Sequence, residues 1–317
     1  MAPLVGVRSD YATRTNPRRQ RFERLTVVWP EWLAHRECRA EHEGERKAMG
    51  ATILHDDLIL PAVNAFAEDS RRTGGTVVTL ATYNEMENLP RLVDEIFAAV
   101  PDADLLVIDD NSPDGTGRWC DERAAADPRV HCVHRSGKLG LGTATIAAMQ
   151  YAIDHDYDAM VNLDADFSHP PRYLPQLLAG LAEKSERGEW KYDVMIGSRY
   201  VPGGKIEGWP LKRHVMSRCV NLYARCMLGL GPRDCSGAFR AYRVDLLRKL
   251  DFAAIRSRGY SFQEEILWRL KKLGARFGEV PIAFVERQYG QSKINSKEAY
   301  AALGILFRLG LKNYLGL

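Results

Sequence analysis

The chain has 317 residues, 45% of them hydrophobic, and a formal net charge of +3. That length fits one large domain, or one domain with extensions, and the apolar fraction is enough to bury a full-sized core. So small a basic excess gives little support to a nucleic-acid binder, and nucleic acid is not an expected partner.

The six cysteines, Cys38, Cys120, Cys132, Cys219, Cys226 and Cys235, form no Cys-x-x-Cys pair, and no secretory signal opens the sequence. Neither a disulfide framework nor a zinc knuckle is expected, and a reducing, cytoplasmic compartment is the default. No segment reaches the ~18 consecutive apolar residues of a membrane span. The expectation is a protein that is soluble or held at a membrane surface.

Residues 1–72 differ from the rest. Residues 14–24 are rich in Arg, residues 36–47 are densely charged with both signs, and a mildly apolar stretch over 53–66 follows Met49. No catalytic pattern lies here. This region reads as an appended arm, partly disordered or helical, with Met49 as an alternative start; a partner-binding or membrane-surface arm is the other reading.

From Thr76 the pattern becomes regular. The β-branched run 76–81 predicts a strand, and apolar Leu89, Leu92, Val93, Ile96 and Phe97 predict a helix over 89–100. A second strand over 104–108 runs into Asp109-Asp110; a helix over 116–126 and a third strand over 130–134 follow. Then come a helix over 143–153, a fourth strand over 159–163 ending at Asp164, a helix over 174–184 and a fifth strand over 194–197. Strands alternating with helices predict an α/β fold, a mostly parallel central sheet flanked by helices.

Polar residues cluster just after four of these strands: Tyr83, Asn84 and Glu85; Asp109 and Asp110; Asp164 and Asp166; Ser198 and Arg199. Open α/β sheets bind ligands beyond the carboxyl ends of their strands, so the four clusters predict one shared site. Asp164-Ala165-Asp166 places two carboxylates at a strand end, where they can share a hard cation such as Mg²⁺ or Mn²⁺. A nucleotide diphosphate would complete the shell, and the cation would neutralise the leaving diphosphate. Alone, such a pair is most often a solvated acidic turn; its strand-end position and the Ser168-His169-Pro170-Pro171 that follows favour the site. His169 itself reads as a turn or supporting residue. Asp109 to Gly115 can accept from ribose hydroxyls or base N–H groups, or form an ordinary turn.

No GxGxxG or GxxxxGK[ST] follows a strand, which disfavours a dehydrogenase or a P-loop NTPase. The run Gly137 to Gly142 fits a backbone nest near phosphate or a structural turn. Arg199, Arg213, Arg287 and Lys293 form a basic constellation suited to phosphate. No nucleophile–base pair and no GxSxG is found. That agrees with a phosphate acceptor, whose oxygen is already anionic and needs positioning more than deprotonation.

Taken in order, these motifs resemble one family. They are Thr82-Tyr83-Asn84-Glu85, Asp109-Asp110-Asn111-Ser112-Pro113-Asp114, Lys138-Leu139-Gly140-Leu141-Gly142-Thr143-Ala144, Asp164-Ala165-Asp166-Phe167-Ser168-His169-Pro170 and Gly197-Ser198-Arg199-Tyr200. Gly208-Trp209-Pro210 with Arg213 and Ser217, Asp234 to Arg240, Gly259-Tyr260-Ser261-Phe262-Gln263 and Glu279-Val280-Pro281 continue the series. From about residue 76 to 296 the chain resembles the dolichyl-phosphate (polyprenyl-phosphate) mannosyltransferases of glycosyltransferase family 2, inverting enzymes of the GT-A type.

The resemblance implies a catalytic domain over 73–295 that carries mannose from GDP-mannose to dolichyl or polyprenyl phosphate, with inversion and a metal. It implies that Ala81, Tyr83, Glu85, Ile108 and Asp110 line the guanosine pocket. Asp164, Asp166 and Ser168 would hold Mg²⁺ or Mn²⁺, with Ala165 touching the donor. Arg287 and Lys293 would reach the donor diphosphate; Arg199, Arg213 and Ser217 would hold the acceptor phosphate, and Asp234 would lie near the transferred sugar. The family usually has Pro where Ala81 stands, and some relatives have Gln in place of Ser168. A sister enzyme using UDP-glucose or another nucleotide sugar, and a non-catalytic nucleotide-sugar-binding subunit, are the alternatives. Residues 296–317 are expected to form an amphipathic helix, with Leu303, Leu306, Phe307, Leu311, Tyr314 and Leu315 on its apolar face. That helix could lie on the cytoplasmic face of a membrane, pack into the core, or dock on a small membrane-anchoring subunit.

Overall fold

The structure is a computed structural model that describes residues 74–257, 259, 261–286 and 296–315, with the backbone alone over 296–302. The expected arm over 1–72 and the expected diphosphate ligands Arg287 and Lys293 lie outside the described residues. In chain order the elements are β1 (Thr76–Thr82), α1 (Leu89–Ala99), β2 (Asp104–Asp109), α2 (Thr116–Ala126), β3 (Val130–His134), α3 (Leu141–Asp154), β4 (Ala159–Asp164), α4 (Leu174–Ala182) and β5 (Val194–Ser198). They continue with β6 (Lys205–Glu207), α5 (Leu211–Leu228), β7 (Arg240–Arg243), α6 (Val244–Leu247), α7 (Phe262–Lys272), β8 (Phe277–Pro281), β9 (Ala283–Val285) and α8 (Ser296–Leu315). Each strand and helix predicted between residues 76 and 197 forms, with ends within two residues of the expected ones.

The main sheet has the order β3-β2-β1-β4-β7-β5-β8. Its pairs are parallel except at β7, which runs antiparallel to both β4 and β5. Strand alternation sends neighbouring residues to opposite faces, and both faces are covered. Val77, Leu106, Met160, Ile196 and Tyr242 face α3, α7 and α8; Val78, Leu105, Val107, Val161 and Leu163 face α1 and α4. Full burial of each large aliphatic side chain contributes about 1.5–3 kcal/mol, so these two layers fix the heights of the strands and hence of their ends.

No strand or helix is predicted between residue 197 and the last helix, and among the elements found there β7 enters the middle of the main sheet. Its Arg240 is completely buried, yet its guanidinium donates from Nη1 to the Gln263 carbonyl at 2.8 Å and from Nη2 to the Cys235 carbonyl at 2.6 Å. Those bonds let a charged residue sit inside the sheet.

The apolar face expected on the last helix divides in two. Leu306 is buried, and Leu309, outside that expected set, is buried beside it; Phe307, Leu311, Tyr314 and Leu315 are exposed. Leu211, Val215, Met216 and Leu222 of the neighbouring α5 are exposed as well. Among the described residues no helix is long and apolar enough to cross a membrane.

Candidate active site

The carboxyl ends of β1, β2, β4 and β5 share one rim. Ala81 is level with Ile108 on one side and with Asp164 on the other. Arg240, the rim end of β7, pairs with Asn162 of β4 and Ile196 of β5. Asp164 and Ser198 each lie two residues further, so both project beyond the strand between them. Asn84, Asn111 and Phe167, in the loops after β1, β2 and β4, have φ of 60°, 57° and 60°. This left-handed backbone is uncommon for non-glycine residues and concentrates where loops are tightly constrained.

At the ends of β1 and β2 the paired aspartates do different work. Asp109 is buried and accepts from Thr82 Oγ1 at 3.0 Å, Ser112 N at 3.0 Å and Ser112 Oγ at 2.5 Å, so it shapes its own turn. Asp110 turns to Arg135, which donates from Nε at 2.5 Å. Burial pushes the Asp110 carboxyl above its ordinary value against the pull of that arginine. Arg135 also donates to Thr143 Oγ1 at 2.7 Å, tying Asp110 to the start of α3. Ile108 is buried behind this loop. Lys138 lies over the Tyr83 ring at 4.7 Å, and Glu85 Oε2 accepts from Asn88 Nδ2 at 2.9 Å. The sequence reading missed Arg135. Its signal was present, since it follows β3 directly as the other rim residues follow their strands.

The acidic turn is organised from within. Asp166 is buried and its Oδ1 accepts from Ser168 N at 3.1 Å. Ala165 is buried between the two carboxylates in sequence. His169 is buried between the rings of Phe239 and Phe284, with centroids at 5.3 and 5.4 Å. Its Nδ1 accepts the Asp164 backbone N–H at 3.2 Å and lies 3.5 Å from Asp164 Oδ2. Burial holds the imidazole below its ordinary pKa, so it is a neutral acceptor that fixes the end of β4. Ser168 Oγ is buried with no hydrogen-bond partner among the described residues. A buried hydroxyl without a partner beside two carboxylates is the donor set a hard cation would complete, so the residues fit the expected metal.

The arginines gather on the β5 side. Arg199 is buried and grips Asp234: Nε to Oδ2 and Nη2 to Oδ1, both at 2.7 Å, with the Arg199 backbone N–H to Oδ2 at 3.0 Å. Burial alone would lower the Arg199 guanidinium, but the Asp234 charge and hydrogen bonds outweigh it and raise it. Arg199 lies over the rings of Tyr200, Trp209 and Phe284 at 5.3, 5.7 and 5.4 Å. Arg213 stacks on the same Trp209 at 4.0 Å and donates to Glu286 Oε1 at 2.7 Å. Ser217 Oγ accepts from Tyr200 Oη at 2.7 Å. Beside them opens a cavity of about 480 Å³ lined by Tyr200, Arg218, Asn221, Leu222, Arg225 and Arg233. Its three arginines were not singled out in the sequence: Arg218 and Arg225 belong to the broadly basic α5, Arg233 follows it, and spacing alone does not show which residues share a hollow.

Acidic turn and arginine cluster approach each other at Phe284, whose ring lies 5.4 Å from the His169 ring and 5.4 Å from the Arg199 guanidinium. The strand leading to Arg287 is joined to the same turn, since Val285 N donates to the Ser168 carbonyl at 3.2 Å.

A sheet of this order, with its ligand-bearing turns on one rim, is the fold of a GT-A-type glycosyltransferase. The family model described as "Glycosyl transferase family 2" matches residues 77–251. The chain is 47% identical over 232 residues to the undecaprenyl-phosphate mannosyltransferase of Micrococcus luteus, covering 73% of this chain and 92% of that protein. It is 42% identical over 246 residues to the polyprenol monophosphomannose synthase of Mycolicibacterium smegmatis, covering 77% and 90%. The chain belongs to glycosyl transferase family 2. Among solved structures, the glucosyl-3-phosphoglycerate synthase of Mycobacterium tuberculosis, in complex with Mn²⁺, uridine diphosphate and glucosyl-3-phosphoglycerate, shares the fold. Its TM-score is 0.52 at 21% identity, over 76% of this chain and 80% of that one.

Proposed function

We infer that this protein transfers mannose from GDP-mannose to a polyprenyl phosphate with inversion, giving polyprenyl β-mannosyl phosphate. The observation that carries this reading is the approach of the acidic turn and the Arg199–Asp234 pair at the Phe284 ring, which touches His169 and lies under Arg199. The names of the two curated relatives, both acting with mannose and a polyprenol-type phosphate, support the sugar and the acceptor class.

GDP-mannose lies across the ends of β1, β2 and β4, with Ala81, Tyr83, Glu85, Ile108 and Asp110 around the base and ribose. Asp164, Asp166 and Ser168 would hold Mg²⁺ or Mn²⁺, which would offset charge on the departing diphosphate. Arg287 and Lys293 would bind that diphosphate. The acceptor phosphate is held by Arg199, Arg213 and Ser217. One of its oxygens, already anionic, attacks the anomeric carbon from the face opposite GDP. A new C–O bond forms, the bond to GDP breaks, and GDP leaves with the electron pair. No general base is required, and His169, neutral and accepting from the backbone of Asp164, serves position rather than proton transfer.

The exposed apolar side chains of α5 and α8 stand among Lys212, Arg218, Arg225, Arg308 and Lys312. An apolar face bordered by basic residues suits the cytoplasmic surface of an anionic membrane, where the lipid acceptor resides, or a small membrane-anchoring subunit there. The test is a panel of radiolabelled donors with dolichyl and undecaprenyl phosphates, scored for labelled lipid. GDP-mannose should give a labelled lipid that mild acid hydrolyses and mild alkali leaves intact. Preference for UDP-glucose would point to the sister activity, and donor binding without turnover to a non-catalytic subunit.

A further inference from the structure

β3 is an edge strand, and alternation places Cys132 and His134 on the same face, the one packed by α2. α2 brings Cys120 and Asp121 to that face. His134 Nε2 lies 3.5 Å from Cys132 Sγ and 2.9 Å from Asp121 Oδ1. The three ligand atoms of Asp121, Cys132 and His134 fall within 4.8 Å of one another. The geometry points to a second metal site on the outer edge of the sheet: a zinc ion held by Cys132 Sγ, His134 Nε2 and Asp121 Oδ1, with a fourth position open to water.

Tetrahedral zinc, with bonds of about 2.0–2.3 Å, spaces its ligand atoms about 3.4–3.6 Å apart. The Cys132–His134 separation already matches. The His134–Asp121 separation must open by about 0.5 Å to do so, and both side chains have the freedom, being 46% and 61% exposed. In the metal-free protein a proton occupies the short contact between imidazole and carboxylate; zinc would replace it. The Cys132 thiol proton would pass to solvent as the Zn–S bond forms, since a coordinating thiol is deprotonated outright.

The surroundings are those of a built site. The Cys120 thiol is buried on the side of α2 that packs against β3, in the same apolar cluster as Cys132. His134 Nδ1 is 3.9 Å from Oδ2 of the buried Asp109. A ligating imidazole commonly sends its other N–H to such a carboxylate, which fixes tautomer and ring orientation. Gly117 keeps that approach clear: a Cβ there would stand 3.0 Å from Asp109 Oδ2 and 3.1 Å from His134 Cε1. The ligand types also separate this site from the acidic turn. Thiolate and imidazole select zinc over magnesium, whereas the oxygen donors of Asp164, Asp166 and Ser168 suit the harder ion. No Cys-x-x-Cys signals the site, because its ligands come from a strand and the helix before it.

The test uses the full chain, stripped with chelator and kept reduced, in excess Mg²⁺, titrated with Zn²⁺ and separately with Co²⁺. One equivalent of Zn²⁺ should bind, and Co²⁺ should show thiolate charge-transfer and intense tetrahedral ligand-field bands. Cys132→Ser and His134→Asn, each checked for an unchanged circular dichroism spectrum, should weaken Zn²⁺ by more than about tenfold. Asp121→Asn, at an exposed position, gives a third variant that should weaken it with little effect on folding. Asp166→Ala should leave zinc affinity unchanged. Absence of a bound equivalent, undiminished affinity in Cys132→Ser, or loss of zinc binding in Asp166→Ala would overturn the assignment.

Discussion

Asp234→Asn changes one charge and almost no volume, and the structure allows its cost to be worked out. Arg199 and Asp234 are both buried, and Asp234 accepts three hydrogen bonds from Arg199 and a fourth from Gly237 N at 3.0 Å. At an effective dielectric near 20, unit charges ~4 Å apart attract by about 4 kcal/mol. Removing one member of a buried pair strands the other, and such losses run to about 3–5 kcal/mol. Urea unfolding of Asp234→Asn at neutral pH should therefore show a loss in that range, and the double variant with Arg199→Met should recover much of it. The pH dependence supplies a second check. Burial pulls the Asp234 carboxyl up, but the charge and hydrogen bonds of Arg199 hold it below its ordinary value. Its stabilisation is thus complete above the unfolded carboxylate pKa of about 3.9 and is lost as pH falls through the lower folded value. The gap between wild type and Asp234→Asn should close below about pH 4. A loss under about 1 kcal/mol, or a double variant no better than the sum of its parts, would refute the reasoning.

Three further outcomes are expected. Asp166→Ala should lower turnover at least about a hundredfold with an unchanged circular dichroism spectrum, and wild-type activity in excess chelator would remove the metal assignment. Glu264 is buried, its Oε2 has no partner among the described residues, and burial raises its carboxyl to about 7. A carboxyl raised on folding destabilises increasingly from the unfolded value up to that pH, so Glu264→Gln should gain up to about 3 kcal/mol at pH 8 and almost nothing at pH 4, by urea unfolding. Phe307→Asp with Leu311→Asp, at exposed positions of α8, should reduce sedimentation with anionic vesicles by about tenfold or more while leaving the melting temperature nearly unchanged.

Much of the sheet was legible because its strands are short apolar runs that stop at polar clusters. The part that escaped is equally physical. Arg-Ala-Tyr-Arg does not look like an interior strand, and β7 exists because backbone carbonyls of residues 235 and 263 satisfy Arg240. α5 reads as basic throughout, since its apolar Leu211, Val215, Met216 and Leu222 are exposed instead of marking a buried stripe. At the site, residue types were visible but partnerships were not. Nothing in Asp109-Asp110 says that the first shapes a turn while the second pairs with Arg135, 25 residues away. The supporting reading of His169 fits its place in the structure, but its neutrality follows from the rings of Phe239 and Phe284, which only the fold delivers.

The reversed strand β7 also acts as a spacer. Adjacent strands lie about 4.8 Å apart, so inserting one between β4 and β5 sets their backbones about 9–10 Å from each other. β7 begins at Arg240 while its neighbours run on to Asp164 and Ser198, and the chain entering it fills the upper part of that interval: the Phe239 carbonyl accepts from Gly197 N and the Ala238 carbonyl from Asn162 Nδ2. The distance between the acidic turn and the arginine cluster is thereby quantised in whole strands: it can narrow by one step or widen by one, but not drift. Loop substitutions can change the side chains that line this gap, whereas its width is a property of topology.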